Sequence, residues 1–232
     1  MVNKGVSRNT SLSGQVAKWR SGRNTVFGTH SKGFRWMSLV VLSGGICFVG
    51  LAAWGAPRFP ARPVPLPDYG RVGAFSLTDQ EARPISQRDL QGKVWIAAFF
   101  FTRCAGQCPL MSARMAQLQR TLGDAPSLQL VSFTLDPSYD TPERLRAYAR
   151  HYQAERQRWQ FVGGDESTLH ALASDDFHLS VADGIPQAEP IIHSSRLVLV
   201  DAQGHIRGYY DALDSEAMGR LAADAQRLIH AR

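Results

Sequence analysis

Two cysteines stand in the run Phe99-Phe-Phe-Thr-Arg-Cys104-Ala-Gly-Gln-Cys108-Pro109. Their thiolates are the forms that bind a soft metal or attack a disulfide. The apolar, aromatic-rich stretch Val94–Phe101 before them reads as a buried strand. Pro109 suits the first turn of a helix, where its missing N–H costs nothing. The pair is therefore predicted on a loop between a strand end and a helix N-terminus. The partial positive charge there favours thiolate over thiol.

Two thiolates separated by three residues can face one ion. Cu(I), which prefers few and soft ligands, suits them. Zinc also takes thiolates, but a closed structural zinc site usually has four ligands, and no fourth Cys or His at ligand spacing is evident. A structural disulfide is the plain alternative, although a bridge closing so short a loop stabilises little. A reversible disulfide is compatible with either chemistry. His193, in Glu189-Pro-Ile-Ile-His193-Ser-Ser, is the candidate third ligand, and a Cys2His site would also tolerate Cu(II). The remaining histidines, His30, His151, His170, His178, His205 and His230, read as ordinary hydrogen-bonded residues. Met111 and Met115 read as core, because they recur with Leu118 and Leu122 on one helical face. The third cysteine, Cys47, lies in a long apolar run and reads as packing.

The elements that must position the pair follow from pattern. Ala74 to Ile85 suggests a short hairpin, and Val94–Phe101 a buried strand. The helix after the cysteines ends at Gly123. Leu128–Leu135 reads as a central parallel strand. Thr141 and Pro142 begin a helix as N-cap and first helical residue, with Leu145, Tyr148, Ala149 and Tyr152 on one face. Trp159–Val162 reads as a short strand and Glu166–Ala173 as a helix. Arg196–Val200 and His205–Tyr210 flank the turn Asp201–Gly204, and Ser215–Ile229 forms an amphipathic closing helix. This order predicts an α/β, thioredoxin-like domain with a central mixed sheet flanked by helices. In such a fold the segment holding His193 passes beside the cysteine loop. Asp140 reads as a helix-start capping and turn-forming residue, with a place on an acidic docking rim as its functional alternative. Asp136 reads equally as a turn former or as part of an acidic docking rim.

Composition sets the compartment. Seven of the 26 Lys and Arg fall in residues 1–35, which hold no acid; 19 remain against all 20 Asp and Glu. The high pI therefore belongs to the tail, and the folded part gives no reason to expect nucleic-acid binding. Residues 36–55 are uncharged and long enough to span a bilayer of about 30 Å. They are predicted to form one uncleaved anchor helix, with the basic tail (1–35) cytoplasmic. Residues 56–67, with five prolines, are predicted as an extended stalk, and 68–232 as the folded domain. The expected location is a bacterial inner membrane, single-pass, with the C-terminal domain in the periplasm. The mitochondrial inner membrane is the alternative, since the tail also resembles a presequence.

Three blocks carry a family resemblance. They are the strand with Cys104-x-x-x-Cys108-Pro109, then Thr134-Leu-Asp136-Pro137-x-x-Asp140-Thr141-Pro142 followed by Leu145 and Tyr148, and His193-Ser194 leading to Leu197–Val200, Asp201 and Gly204. Over about residues 70–230 the chain resembles the Sco/SenC copper proteins, thioredoxin-like copper chaperones for cytochrome c oxidase assembly. The resemblance implies that Cys104, Cys108 and His193 bind one copper ion, Cu(I) or Cu(II). It implies delivery to the dinuclear copper site of oxidase subunit II. It also implies further partners: a copper donor, or a thiol reductase acting on the pair. A thiol–disulfide oxidoreductase that reduces the cysteines of that target site, with Cys104 and Cys108 as its redox pair, is the alternative. Ala105 stands where many members have proline, so a more flexible loop is expected.

Overall fold

The computed structural model describes residues 65–185 and 189–231. The described part begins with a hairpin, β1 (Ser76–Asp79) and β2 (Pro84–Ser86). There follow β3 (Val94–Phe100), α1 (Cys108–Thr121), β4 (Leu128–Thr134), α2 (Pro142–His151) and β5 (Trp159–Gly163). Helix α3 (Glu166–Ala171) runs into a π-type turn over Leu172–Asp176. β6 (Val181–Ile185), β7 (Glu189–His193), β8 (Arg196–Val200), β9 (Ile206–Asp211) and α4 (Ser215–His230) complete the order.

Seven strands form one sheet in the order β2-β1-β5-β4-β3-β8-β9; β6 and β7 pair apart from it. β3, β4 and β5 are parallel, while β1 and β8 join them antiparallel. Every residue of β3 and β4 is buried, as the apolar run of β3 and the mostly apolar β4 demand of strands covered on both faces. Phe99 and Phe100 point to opposite faces because side chains alternate along a strand. Phe99 stacks on Phe133, with centroids 5.1 Å apart, and meets Phe177 at 5.2 Å. Phe100 meets Tyr148 of α2 at 5.1 Å. The segment after α3 thus covers one face of the sheet, and α2 the other. Helix α1 lies with α2, joined by a 3.0 Å hydrogen bond between Ser112 Oγ and Tyr148 Oη. The result is the mixed, helix-flanked α/β sheet of a thioredoxin-like fold.

The predicted caps are present. Thr141 Oγ1 accepts from the Arg144 N–H at 3.4 Å with Pro142 just inside the helix. Gly123, at φ 60°, takes the left-handed position that ends α1. Two elements differ from expectation. The helix over Glu166–Ala173 gives way after Ala171 to the wider turn. The β6–β7 hairpin, with Val181 opposite His193, occupies a stretch to which the sequence pattern assigns no element. Its sequence carries Pro186 and Pro190 and no clean alternation, so local pattern hides a pairing made within the hairpin.

Among the described residues no helix is long and apolar enough to cross a membrane. The tail (1–35), the expected anchor (36–55) with Cys47, and the stalk up to residue 64 lie outside the described residues.

Candidate metal centre

β3 delivers the chain into a loop at its C-terminal end, and Cys108 is the first residue of α1, with Pro109 in that first turn. Gln107 occupies the N-cap position without a side-chain cap bond. Cys108 therefore sits where the helix N-terminus stabilises a thiolate. Both cysteines are buried, but unequally: Cys104 is 7% exposed and Cys108 0%. Ala105 and Gly106, between them, are exposed. Water and partners can reach the pair from the Cys104 side.

Two buried carboxylates hold the residues just before Cys104. Asp140 accepts from the Thr102 N–H at 3.0 Å, from the Thr102 hydroxyl, and from the Thr134 hydroxyl at 2.5 Å. Asp136 accepts from Arg103 Nε at 2.6 Å. The Arg103 guanidinium also lies over the Tyr139 ring at 4.7 Å, and that of Arg144 lies 3.8 Å from the same ring. These contacts tie the loop between β3 and α1 to the segment that leaves β4. They correct two readings. Asp140 is not a helix cap, since Thr141 takes that role. Asp136 and Asp140, 5% and 2% exposed, form no acidic docking rim. Sequence separations of 33 and 38 residues made these partners invisible to local pattern.

Burial, the largest cause, raises the Asp140 carboxyl above its usual 3.8, against the lowering by its bonds from Thr102 and Thr134. The native state therefore holds this proton to a higher pH than the unfolded chain does. Stability from this group is fullest below about 3.8 and is lost as pH rises through the folded value. Asp140→Asn does not titrate there, so it is expected to gain on the wild type between about pH 4 and about pH 7. Asp140→Ala leaves the Thr102 N–H and the buried Thr134 hydroxyl without this acceptor. It is expected to cost about 2–4 kcal/mol. Urea unfolding at both pH values checks this. An Asn variant that loses ground on the wild type as pH rises contradicts it.

On the helix side, burial, the largest cause, pushes the phenol of Tyr148, near Cys108, well above the ordinary tyrosine range. Tyr152 Oη donates to the Pro109 carbonyl at 3.3 Å. Met111 and Met115 are 1% and 0% exposed within the hydrophobic core, as their spacing predicted.

His193 is the last residue of β7, and its side chain lies outside the described set. The residues flanking the expected ligands are described. Gln107, next to Cys108, and Ser194, next to His193, line one cavity. The end of β7 therefore lies beside the cysteine loop. Among the described residues, no group of three or more His, Cys, Asp or Glu gathers closely enough to hold a metal. His170 Nε2 bonds the Leu135 carbonyl at 3.0 Å, His205 pairs with Asp68 at 2.9 Å, and the His151 ring rests on Tyr152. His230 closes α4. His178 is exposed and lines the cavity beside the loop.

Residues 67–230 match the SCO1/SenC family model. The SCO1 protein homolog of Bacillus subtilis is 29% identical over 188 residues, covering 80% of this chain and 94% of that protein. A putative copper-binding protein of Stutzerimonas stutzeri is 32% identical over 162 residues, covering 63% of this chain and 72% of that protein. Among solved structures, BsSco, described as a member of the Sco family of cytochrome c oxidase assembly proteins with a disulfide switch, is 26% identical. It superposes with a TM-score of 0.64 over 73% of this chain and 100% of that one.

Proposed function

Because the chain belongs to the SCO1/SenC family, we propose that it is a membrane-anchored metallochaperone that holds one copper ion at Cys104, Cys108 and His193. It passes that ion to the dinuclear copper site of cytochrome c oxidase subunit II. Transfer proceeds by ligand exchange, thiolate by thiolate, so the ion is never released to water. The observation that carries the reading is the joint placement of Gln107 and Ser194 on one cavity, at the end of the sheet where both cysteines lie buried. Two soft thiolates and an imidazole make a donor set suited to copper in either oxidation state. The similarity to a putative copper-binding protein and to a cytochrome c oxidase assembly protein supports the cargo and the pathway.

A second reading keeps the same thiols and drops the metal: a thiol–disulfide oxidoreductase that prepares the target's cysteines. The unequal exposure of Cys104 and Cys108 favours it, since one sulfur is open to attack and the other is placed to leave. Only the carrier needs His193. Titration of the reduced full chain with Cu(I) against a chromogenic chelator tests the primary reading. About one copper per chain is expected, and none would refute it.

The proposed layout places residues 1–35 in the cytoplasm, one anchor over 36–55, a stalk over 56–67 and the domain 68–232 in the periplasm. The acid-free basic tail and the uncharged run after it support this layout. A periplasm-dependent reporter fused after Arg232 is expected to be active, and a cytoplasm-dependent one inactive. The opposite pattern would overturn the orientation. The mitochondrial inner membrane, with the domain on its outer side, is the corresponding layout in a eukaryotic cell.

A further inference from the structure

The cavity beside the cysteine loop has a chemistry of its own. It holds about 370 Å³, within the roughly 300–1,000 Å³ of small-molecule sites. Gln107, His178, Ser180, Ser194, Ser195 and Arg196 supply its polar lining. That is a guanidinium, an imidazole, an amide and three hydroxyls, with no carboxylate among the described lining residues. Asp211, the cross-strand partner of Arg196, accepts from the Ser195 hydroxyl and from the Leu213 N–H, so that hydroxyl's proton is already committed. Asp183 and Glu189 lie toward the tip of the β6–β7 hairpin by register, while Ser180 and Ser194 flank its base. A polar cavity with one guanidinium and no carboxylate in its described lining favours an anion. His178 reaches it from a left-handed backbone, φ 49°, a conformation that costs a non-glycine residue energy and recurs at ligand sites.

Position adds the reactive group. Gln107 belongs to the loop that joins the two cysteines, so the cavity borders the loop that carries Cys104, the more exposed of the pair. We propose that the cavity binds a small anionic thiol, its carboxylate held by Arg196 and its sulfur directed at Cys104. This rests on the reading of Cys104 and Cys108 as a redox-capable pair, and it adds a site and a ligand class to that reading. With the pair oxidised, the ligand's thiolate attacks Cys104 Sγ, the more exposed of the two sulfurs. A sulfur–sulfur bond forms between ligand and Cys104 as the Cys104–Cys108 bond breaks. Cys108 leaves as a thiolate at the N-terminus of α1, where that charge is stabilised. A second thiolate of the same class then attacks the ligand sulfur of the mixed disulfide and releases the Cys104 thiolate. Two thiols become one disulfide, two electrons pass to the protein, and the two thiol protons go to water or to the new thiolates.

The test uses the full chain, oxidised at the pair, with glutathione as the anionic probe and 2-mercaptoethanol as the uncharged one. Arg196→Gln is expected to slow reduction by glutathione about tenfold and to leave the 2-mercaptoethanol rate within about twofold. Arg196→Lys should restore most of the glutathione rate. Arg196 is exposed at the start of β8, so these variants are expected to fold. Equal slowing with both thiols, or no slowing with either, would overturn the cavity's role while leaving the cysteine pair intact. Failure of the pair to form a disulfide under mild oxidation would overturn the proposal together with the redox reading. Copper binding is not part of the readout, so the carrier reading is tested separately.

Discussion

Cys104→Ser and Cys108→Ser are each expected to abolish tight copper binding by the reduced chain. One thiolate with one imidazole is a poor Cu(I) site, because Cu(I) takes its affinity from soft sulfur donors. The loss should far exceed the ~10–100-fold that removal of an outer-shell partner costs a metal site. The two variants differ in their structural risk. Cys108 is wholly buried at the start of α1, so a serine hydroxyl there needs a new partner or costs about 1–3 kcal/mol. Cys104, partly open to water, carries less of that penalty and is the cleaner test. Circular dichroism and a urea midpoint near that of the wild type establish that each variant is folded. Competition against a Cu(I) chelator then reads the affinity. A folded serine variant that still holds one copper as tightly as the wild type would sink the ligand assignment.

Much of the fold was legible because its signals are local. β3 announces itself as a continuous apolar run and β4 as a mostly apolar one, and a strand buried on both faces has no alternation to hide. Thr141-Pro142 and Gly123 mark helix ends through capping chemistry that depends on a few adjacent residues. Cys104 and Cys108 were legible for the same reason, since a strand and a helix start bracket them. The rest is long-range. Nothing near Asp140 in sequence says that its carboxylate reaches back to Thr102, or that Asp136 clamps Arg103. A carboxylate before a helix looks like a cap whether or not it is one. The β6–β7 hairpin escaped because prolines and a mixed pattern suppress the strand signal. His178 escaped because a lone histidine carries no spacing. Its place on a cavity with Gln107 and Arg196 arises only when β8 is laid beside β3.

The second large effect belongs to His193, and it separates the two functional readings. His193→Ala removes the proposed imidazole ligand and leaves both thiols. The residue ends β7, where alanine preserves the backbone pairing with Val181. Exchange between thiols and disulfides depends on thiolate fraction, leaving-group pKa and access. A pure reductase therefore keeps its rate when an imidazole outside the pair is lost. A copper carrier loses Cu(II) binding and binds Cu(I) more weakly, because two thiolates alone leave the hard oxidation state without a nitrogen donor. The measurement that tests the central claim most directly is oxidase activity in a strain lacking this protein, complemented with the full-length His193→Ala chain at wild-type level and without added copper. The account predicts failure to restore activity, with the variant folded and its thiol pair still reducible. Restoration to the wild-type level would contradict the carrier and leave the reductase in its place.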